Sequence, residues 1–167
     1  MAAKEHSFDV SAKVDLQEFK NALEQAKKEV NNRFDFKDDK AKELTFNEKD
    51  KTLSILTTSK NKAKTIKDIL DSKLIKRNIS LKALKEIKEE SASGGNTKIT
   101  YKLNDTLDEK SAKVINAAIK NEKFKVNTQI QGNEIRIKAK DIDELQKVIA
   151  HLRKMELEIP LSFGNFT

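Results

Sequence analysis

Val126-Asn127-Thr128-Gln129-Ile130-Gln131-Gly132-Asn133-Glu134-Ile135-Arg136-Ile137-Lys138-Ala139-Lys140 is the stretch from which the fold can be read. Val126, Thr128 and Ile130 alternate with polar residues, and so do Ile135, Ile137 and Ala139. A period of two marks a half-buried strand. Gln131-Gly132-Asn133-Glu134 between the two runs turns the chain into a hairpin. Asp141-Ile142-Asp143-Glu144 then caps a helix that carries Leu145, Val148, Ile149 and Leu152 on one face.

The same order stands earlier in the chain. Alternating segments around Leu44/Phe46 and Leu53/Ile55 flank a longer turn, and Ile66, Ile69, Leu70 and Leu74 mark a helix. Leu53 matches Ile135, Ile66 matches Val148 and Leu70 matches Leu152, each 82 residues apart. Ahead of each hairpin stands a strand and a helix. In the first half these are Phe8, Val10, Ala12 and Val14, then Leu16, Phe19, Leu23, Ala26, Val30 and Phe34 after an Asp15/Glu18 capping box. In the second they are Ile99, Tyr101 and Leu103, then Leu107, Val114, Ile115, Ala118 and Ile119. A last strand closes each half, at Ile79, Leu81 and Ala83, and at Ile159, Leu161 and Phe163.

Each half therefore reads βαββαβ, and the chain reads as an internal duplication. The expected class is α+β, with two tandem ferredoxin-like domains over residues 1–92 and 93–167. Residues 89–97, with Gly94 and Gly95, are the expected flexible junction between the halves. Each domain has one antiparallel sheet with both helices on one face and the other face open. Pro160 suits a closing edge strand, where a missing N–H is tolerated.

Composition narrows the function. The 167 residues have no cysteine, which excludes disulfides, thiolate metal sites and a cysteine nucleophile. No apolar run approaches the ~20 residues of a membrane helix, and no secretory signal opens the chain, so a cytoplasmic protein without membrane contact is expected. Two histidines far apart, His6 and His151, leave little for acid/base chemistry. Gly94-Gly95 lacks the Lys-Ser/Thr of a phosphate loop. The acidic cluster Asp35, Asp38, Asp39 and Glu43 lacks EF-hand spacing and reads as a solvated loop. No catalytic set, metal or cofactor is expected.

The net charge of +7 favours polyanions. All cations but Arg33, Arg77, Arg136 and Arg153 are lysines. Genome bias alone can produce such an excess, so the arginines are the more informative cations. In the second half, parity places Lys98, Thr100 and Lys102, then Asn127, Gln129 and Gln131, then Arg136, Lys138 and Lys140 on the open face. That basic, amide-rich surface matches phosphate and base edges. The same residues also simply solvate a sheet. No aromatic residue stands at the outward positions, so base stacking in the manner of an RNA-recognition motif is not expected. A second basic region runs from Lys60 to Lys88, sharpest at Lys73-Leu74-Ile75-Lys76-Arg77, where the helix dipole alone explains cations in a last turn.

Several strings occur together in one order. They are Ser7-Phe8-Asp9, Val14-Asp15-Leu16-Gln17-Glu18, Arg33-Phe34-Asp35-Phe36, Lys73-Leu74-Ile75-Lys76-Arg77, Gln129-Ile130-Gln131-Gly132-Asn133-Glu134-Ile135-Arg136 and Phe163-Gly164-Asn165-Phe166. With them the chain resembles the bacterial YajQ family from about Ser7 to Phe166. The resemblance implies tandem ribonucleoprotein-like ferredoxin folds whose first strands, 7–14 and 97–103, are exchanged between domains. It implies nucleotide binding, with cyclic di-GMP and a transcription regulator as named partners, or RNA or tRNA. It carries over no catalytic residue.

The combined expectation is a non-enzymatic, cytoplasmic nucleotide-binding protein. Its primary site is Arg136, Lys138 and Lys140 with Gln129 and Gln131, backed by Ile130, Ile135 and Ile137 anchored to the helices. Lys73, Lys76 and Arg77, with Arg33, form the second candidate. A weak RNA-binding protein and an adaptor that docks a partner on its open sheet are the rival readings.

Overall fold

Phe8, Val10 and Ala12 have no exposed surface, and Asp9 and Ser11 between them are also buried. The first strand is thus an interior strand, and the question is what covers its two sides. The computed structural model describes residues 5–33, 36–37, 39, 42–155, 157 and 159–167. Phe34, Asp35 and Asp38, placed above on the first helix face and in the acidic loop, lie outside them. Among the described residues the order is β1 (His6–Ser11), α1 (Leu16–Asn32), β2 (Glu43–Asn47), β3 (Thr52–Thr57), α2 (Lys60–Lys76), β4 (Leu84–Ala92), β5 (Asn96–Leu103), α3 (Glu109–Asn121), β6 (Asn127–Gln131), β7 (Glu134–Ala139), α4 (Ile142–Lys154) and β8 (Ser162–Gly164).

This is an α+β chain with two four-stranded antiparallel sheets, ordered β6-β7-β1-β8 and β2-β3-β5-β4. Such sheets with four helices are compatible with two ferredoxin-like units. One compact unit is Val14–Asn104, and the other combines the residues up to Lys13 with Asp105–Thr167.

In the Val14–Asn104 unit, α1 and α2 bury one face each. Phe19, Leu23 and Val30 from α1 and Ile66, Leu70 and Leu74 from α2 meet Leu53, Ile55 and Ile99 of the sheet. Asp15 caps α1 by accepting from Glu18 N at 3.1 Å, and Ser59 caps α2 by accepting from Lys62 N at 3.2 Å. Burial pushes the Tyr101 phenol up to about 12.

In the other unit, β1 lies between β7 and β8. Phe8 pairs with Ile137, Val10 with Ile135 on one side and with Phe163 on the other. These side chains join Ile115, Ile119, Val148 and Leu152 in one core. Beyond β8 the chain keeps to β1. Asn165 takes a positive φ of 56°, and Thr167 and Ser7 exchange two backbone hydrogen bonds of 3.0 and 3.2 Å. Phe166 stacks on Phe8 at 5.8 Å.

Several expectations change. Ile79, Leu81 and Ala83 do not form a strand. Ser80 accepts from Lys82 N at 3.1 Å and winds Leu81–Ala83 into a 3₁₀ turn, so β4 starts only at Leu84. Residues 89–97 are not a flexible junction. They end β4, turn through Ser93–Gly95 with both glycines at φ 76°, and begin β5 within one sheet. Lys98, Thr100 and Lys102 belong to the β2-β3-β5-β4 sheet, across from Leu56, Ser54 and Thr52, whereas Arg136 belongs to the other sheet. Val114 is 46% exposed and Ile130 41%, so neither anchors its element to the core. The last strand shortens to Ser162–Gly164, with Pro160 ahead of it.

Because Phe8 fills the core of the second unit only, Phe8→Ala should loosen that unit alone. A buried Phe→Ala change costs about 3–5 kcal/mol. Amide hydrogen exchange should accelerate through β6, β7 and β8 while β2, β3 and β5 stay protected. Equal acceleration in both sheets would contradict this packing.

Candidate functional site

The β6-β7 hairpin is the local reason a basic ribbon exists. Gly132 sits at φ 59° while Asn133 keeps a negative φ, the signs of a type II′ turn, whose twist suits a two-residue hairpin. The turn sets the register: Gln131 stands across from Glu134, Gln129 from Arg136 and Asn127 from Lys138. On the far side of β7, Asp9 stands across from Arg136 and Ser7 from Lys138. One row of the open face therefore reads Gln129, Arg136, Asp9, and the next reads Asn127, Lys138, Ser7.

Arg136 is already engaged. Its Nε donates to Asp9 Oδ1 at 3.0 Å and its Nη2 to Oδ2 at 3.4 Å, while Asn165 Nδ2 donates to Oδ2 at 2.9 Å. The Asp9 side chain is 6% exposed and that of Arg136 37%. The Arg136 hydrogen bond holds the Asp9 carboxyl below its usual 3.8, and the pairing raises Arg136 in turn. On the turn side of that row, where Gln131 stands across from Glu134, Lys13 forms an ion pair with Glu134.

Lys138 and Lys140 differ from Arg136. They line a cavity of about 460 Å³ at the end of the ribbon, together with Phe124, Lys125 and Asn127. Neither ammonium is in an ion pair among the described residues. Three acids also line the cavity, Glu5, Asp141 and Glu144. Asp141 accepts from Asp143 N at 2.9 Å as the α4 cap. Glu144 accepts from the Lys125 backbone N–H at 3.2 Å and from Lys147 Nζ at 3.1 Å, contacts that hold its carboxyl below the usual range. The half-buried Phe124 ring meets His151 edge-on at 5.8 Å, which gives that histidine a packing role.

The five primary residues thus do not converge on one point. Gln129 and Arg136 adjoin, and Lys138 and Lys140 share the cavity. Gln131 stands opposite Glu134, six residues along the ribbon from Lys140, a separation of about 20 Å. Phe124, Asp9 and Asn165 were missed as site residues. Phe124 precedes the alternating run, and Asp9 and Asn165 come to Arg136 only through strand pairing.

The second candidate set is largely tied down. Lys73 pairs with Glu29 at 3.0 Å and Arg77 with Glu18 at 2.8 Å, linking α2 to α1. Lys76 is exposed in the last turn of α2. Arg33 stands at the end of α1 with its guanidinium 5.9 Å from the centre of the Phe36 ring. Asp39 is buried, not solvated: it accepts from Thr58 Oγ1 at 3.2 Å and lies 3.8 Å from Lys62 Nζ. No described helix is long and apolar enough to cross a membrane.

A family model described as nucleotide-binding protein YajQ-like matches residues 6–167. A nucleotide-binding protein of Campylobacter fetus is 56% identical over 163 residues, 98% of each chain. A nucleotide-binding protein of a Sulfurovum species is 52% identical over 165 residues, 98% of this chain and 99% of its own. One of Campylobacter jejuni is 47% identical over 163 residues, again 98% of each.

The Asp9 cluster has a pH signature. A carboxyl lowered on folding adds stability that is complete above its ordinary 3.8 and is lost as pH falls through the lower folded value. Denaturant titrations from pH 7 downward should show the parent losing stability below about pH 4. Asp9→Asn should remove that part of the slope, so the gap between parent and variant narrows in acid. A gap that stays constant with pH would mean the Arg136 contact does not stabilise the folded ionised form.

Proposed function

The chain belongs to the YajQ-like nucleotide-binding family, and from that premise we propose that it binds an anionic nucleotide at the Lys138–Lys140 end of the β6-β7 ribbon without transforming it. The observation that carries this reading is the cavity of about 460 Å³ in which Lys138 and Lys140 stand beside Lys125, Asn127 and Phe124. A volume of this order is usual for small-ligand sites. Lysine ammoniums would meet phosphate, the Asn127 amide a base edge, and the Phe124 ring an apolar base or sugar surface. Gln129 and the exposed part of Arg136 extend the polar face inward from the cavity, and Gln131 marks its far end.

Cyclic di-GMP is the ligand we assign to this site, with a cytoplasmic transcription regulator as the recipient of the bound state. Its two phosphates suit the paired lysines. The reading goes with one of the fold: β1 and β5 count as first strands exchanged between two βαββαβ repeats. The pairing of β1 with β7 and of β5 with β3 supports it. RNA binding is the second reading, favoured by the sequence pI of about 9.4; it would use Lys73, Lys76, Arg77 and Arg33 as well as the ribbon.

Calorimetry against cyclic di-GMP, mononucleotides and a short RNA tests both. Lys138→Ala and Lys140→Ala should each weaken cyclic di-GMP on the order of tenfold, the low end of what a charge-assisted hydrogen bond supplies. Lys110→Ala, on the exposed side of α3, should leave binding unchanged. Binding through many phosphates falls steeply with salt, so a shallow salt slope favours the dinucleotide and a steep one RNA. Unchanged affinity in both lysine variants would remove the site.

A further inference from the structure

The two sheets have four edge strands, β6 and β8 in one and β2 and β4 in the other. An edge shows unpaired N–H and C=O groups, and proteins blunt it with charge, proline, a bulge or shortness. β4 carries Lys85, Glu86, Lys88, Glu89 and Glu90, and its register shifts between Glu86 and Lys88. β8 is three residues long and follows Pro160 closely. β2 opens on Glu43 and runs into Glu48, Lys49 and Asp50. β6 differs from all three. Asn127-Thr128-Gln129-Ile130-Gln131 has no charge and no proline, and its register with β7 is unbroken.

The hairpin also says which groups are free. Gln131 and Glu134 flank the two-residue turn and bond to each other, and every second residue follows suit. Gln131, Gln129 and Asn127 therefore direct their backbone groups to β7, while Thr128 and Ile130 direct theirs to the open edge. Ile130 is 41% exposed beside them. Helix α3 reaches this strand through Asn116, hydrogen-bonded to the Thr128 hydroxyl, and its Val114 is 46% exposed. The stretch 109–131, from α3 through β6, carries Lys110, Lys113, Lys120, Lys123 and Lys125 against Glu109 and Glu122, a net +3.

We propose that the free edge of β6 accepts an extended acidic segment of a protein partner as an added strand. Backbone pairing to Thr128 and Ile130 supplies the register, as in other strand-addition complexes. Charge selects the occupant. A second copy of this chain would bring the same lysines together, and a nucleic acid cannot satisfy the alternating N–H and C=O groups of an edge. Asn127 and Lys125 also line the Lys138–Lys140 cavity, but Thr128 and Ile130, which carry the outward groups, do not, so this inference stands without the nucleotide reading.

The probe is a labelled peptide, Glu-Val-Glu-Val-Glu-Val-Glu, with its lysine counterpart as control. Fluorescence anisotropy at physiological salt should show saturable binding of the acidic peptide and none of the basic one. In nitrogen-15 amide spectra the largest shifts, and newly slowed exchange, should fall on Thr128 and Ile130. Ile130→Pro deletes an outward N–H and no ladder bond, as proline at an edge allows. It should weaken the peptide at least tenfold while circular dichroism shows the parent's melting curve. If that variant unfolds, the amide map of the parent decides alone. Absence of saturable binding, equal binding of both peptides, or shifts centred on Lys138 and Lys140 would overturn the proposal. So would a concentration-dependent dimer that Ile130→Pro abolishes, since the occupant would then be a second copy.

Discussion

The pairing of β1 with β7 is the constraint on which the rest of this unit depends. It sets Phe8 against Ile137 and Val10 against Ile135, side chains with no exposed surface. The same register sets Asp9 against Arg136. A slip by one residue would turn Phe8 outward and Asp9 into the core, so apolar burial and the ion pair specify the same alignment. Breaking either leaves a cost: an open cavity in one case, a buried carboxylate without its donors in the other. The closing strand depends on this alignment as well, because Phe163 packs across Val10 and Asn165 reaches the same Asp9 oxygen as Arg136.

The arrangement separates two kinds of cation that composition treats alike. Arg136 uses two nitrogens of its planar fork on one carboxylate, a geometry suited to fixing structure. Arg77 and Lys73 likewise serve the contact between two helices. Lys138 and Lys140 are held by no such partner among the described residues. Along β7, the cations outside an ion pair among the described residues are thus lysines, although arginine is the rarer residue in the sequence.

Local order was legible from the residues, and partnership was not. Ile135 and Ile137, or Phe8 and Val10, announce strands because alternation is a property of a few neighbours. The 82-residue offset from Leu53 to Ile135 exposes the repeat for the same reason. Asp15 and Asp141 could be read as caps. Parity alone puts Lys138 and Lys140 on the same strand face as Arg136. What failed required knowledge of what lies opposite. Asp9 is 127 residues from Arg136, and nothing near either announces the other. Leu81 has strand parity, but the Ser80 side chain offers the backbone a tighter turn. Ile130 has core parity, yet β6 is an edge and leaves it half uncovered. Asp39 looked solvated because Thr58, its partner, stands 19 residues away.

A sheet assembled from residues 6–11 and 127–164 has a consequence for synthesis on the ribosome. β1 leaves the exit tunnel long before β7 and β8 exist. The Val14–Asn104 unit, continuous in sequence, can close while the remainder is still being translated. About 125 residues separate Val10 from its partner Ile135. At about 5–20 residues per second, Phe8 and Val10 wait roughly 6–25 seconds for their cover. During that interval a chaperone or a neighbouring nascent chain competes for the strand. The polar alternates Ser7, Asp9 and Ser11 then have a second use, since they keep this early segment from being a continuous apolar run.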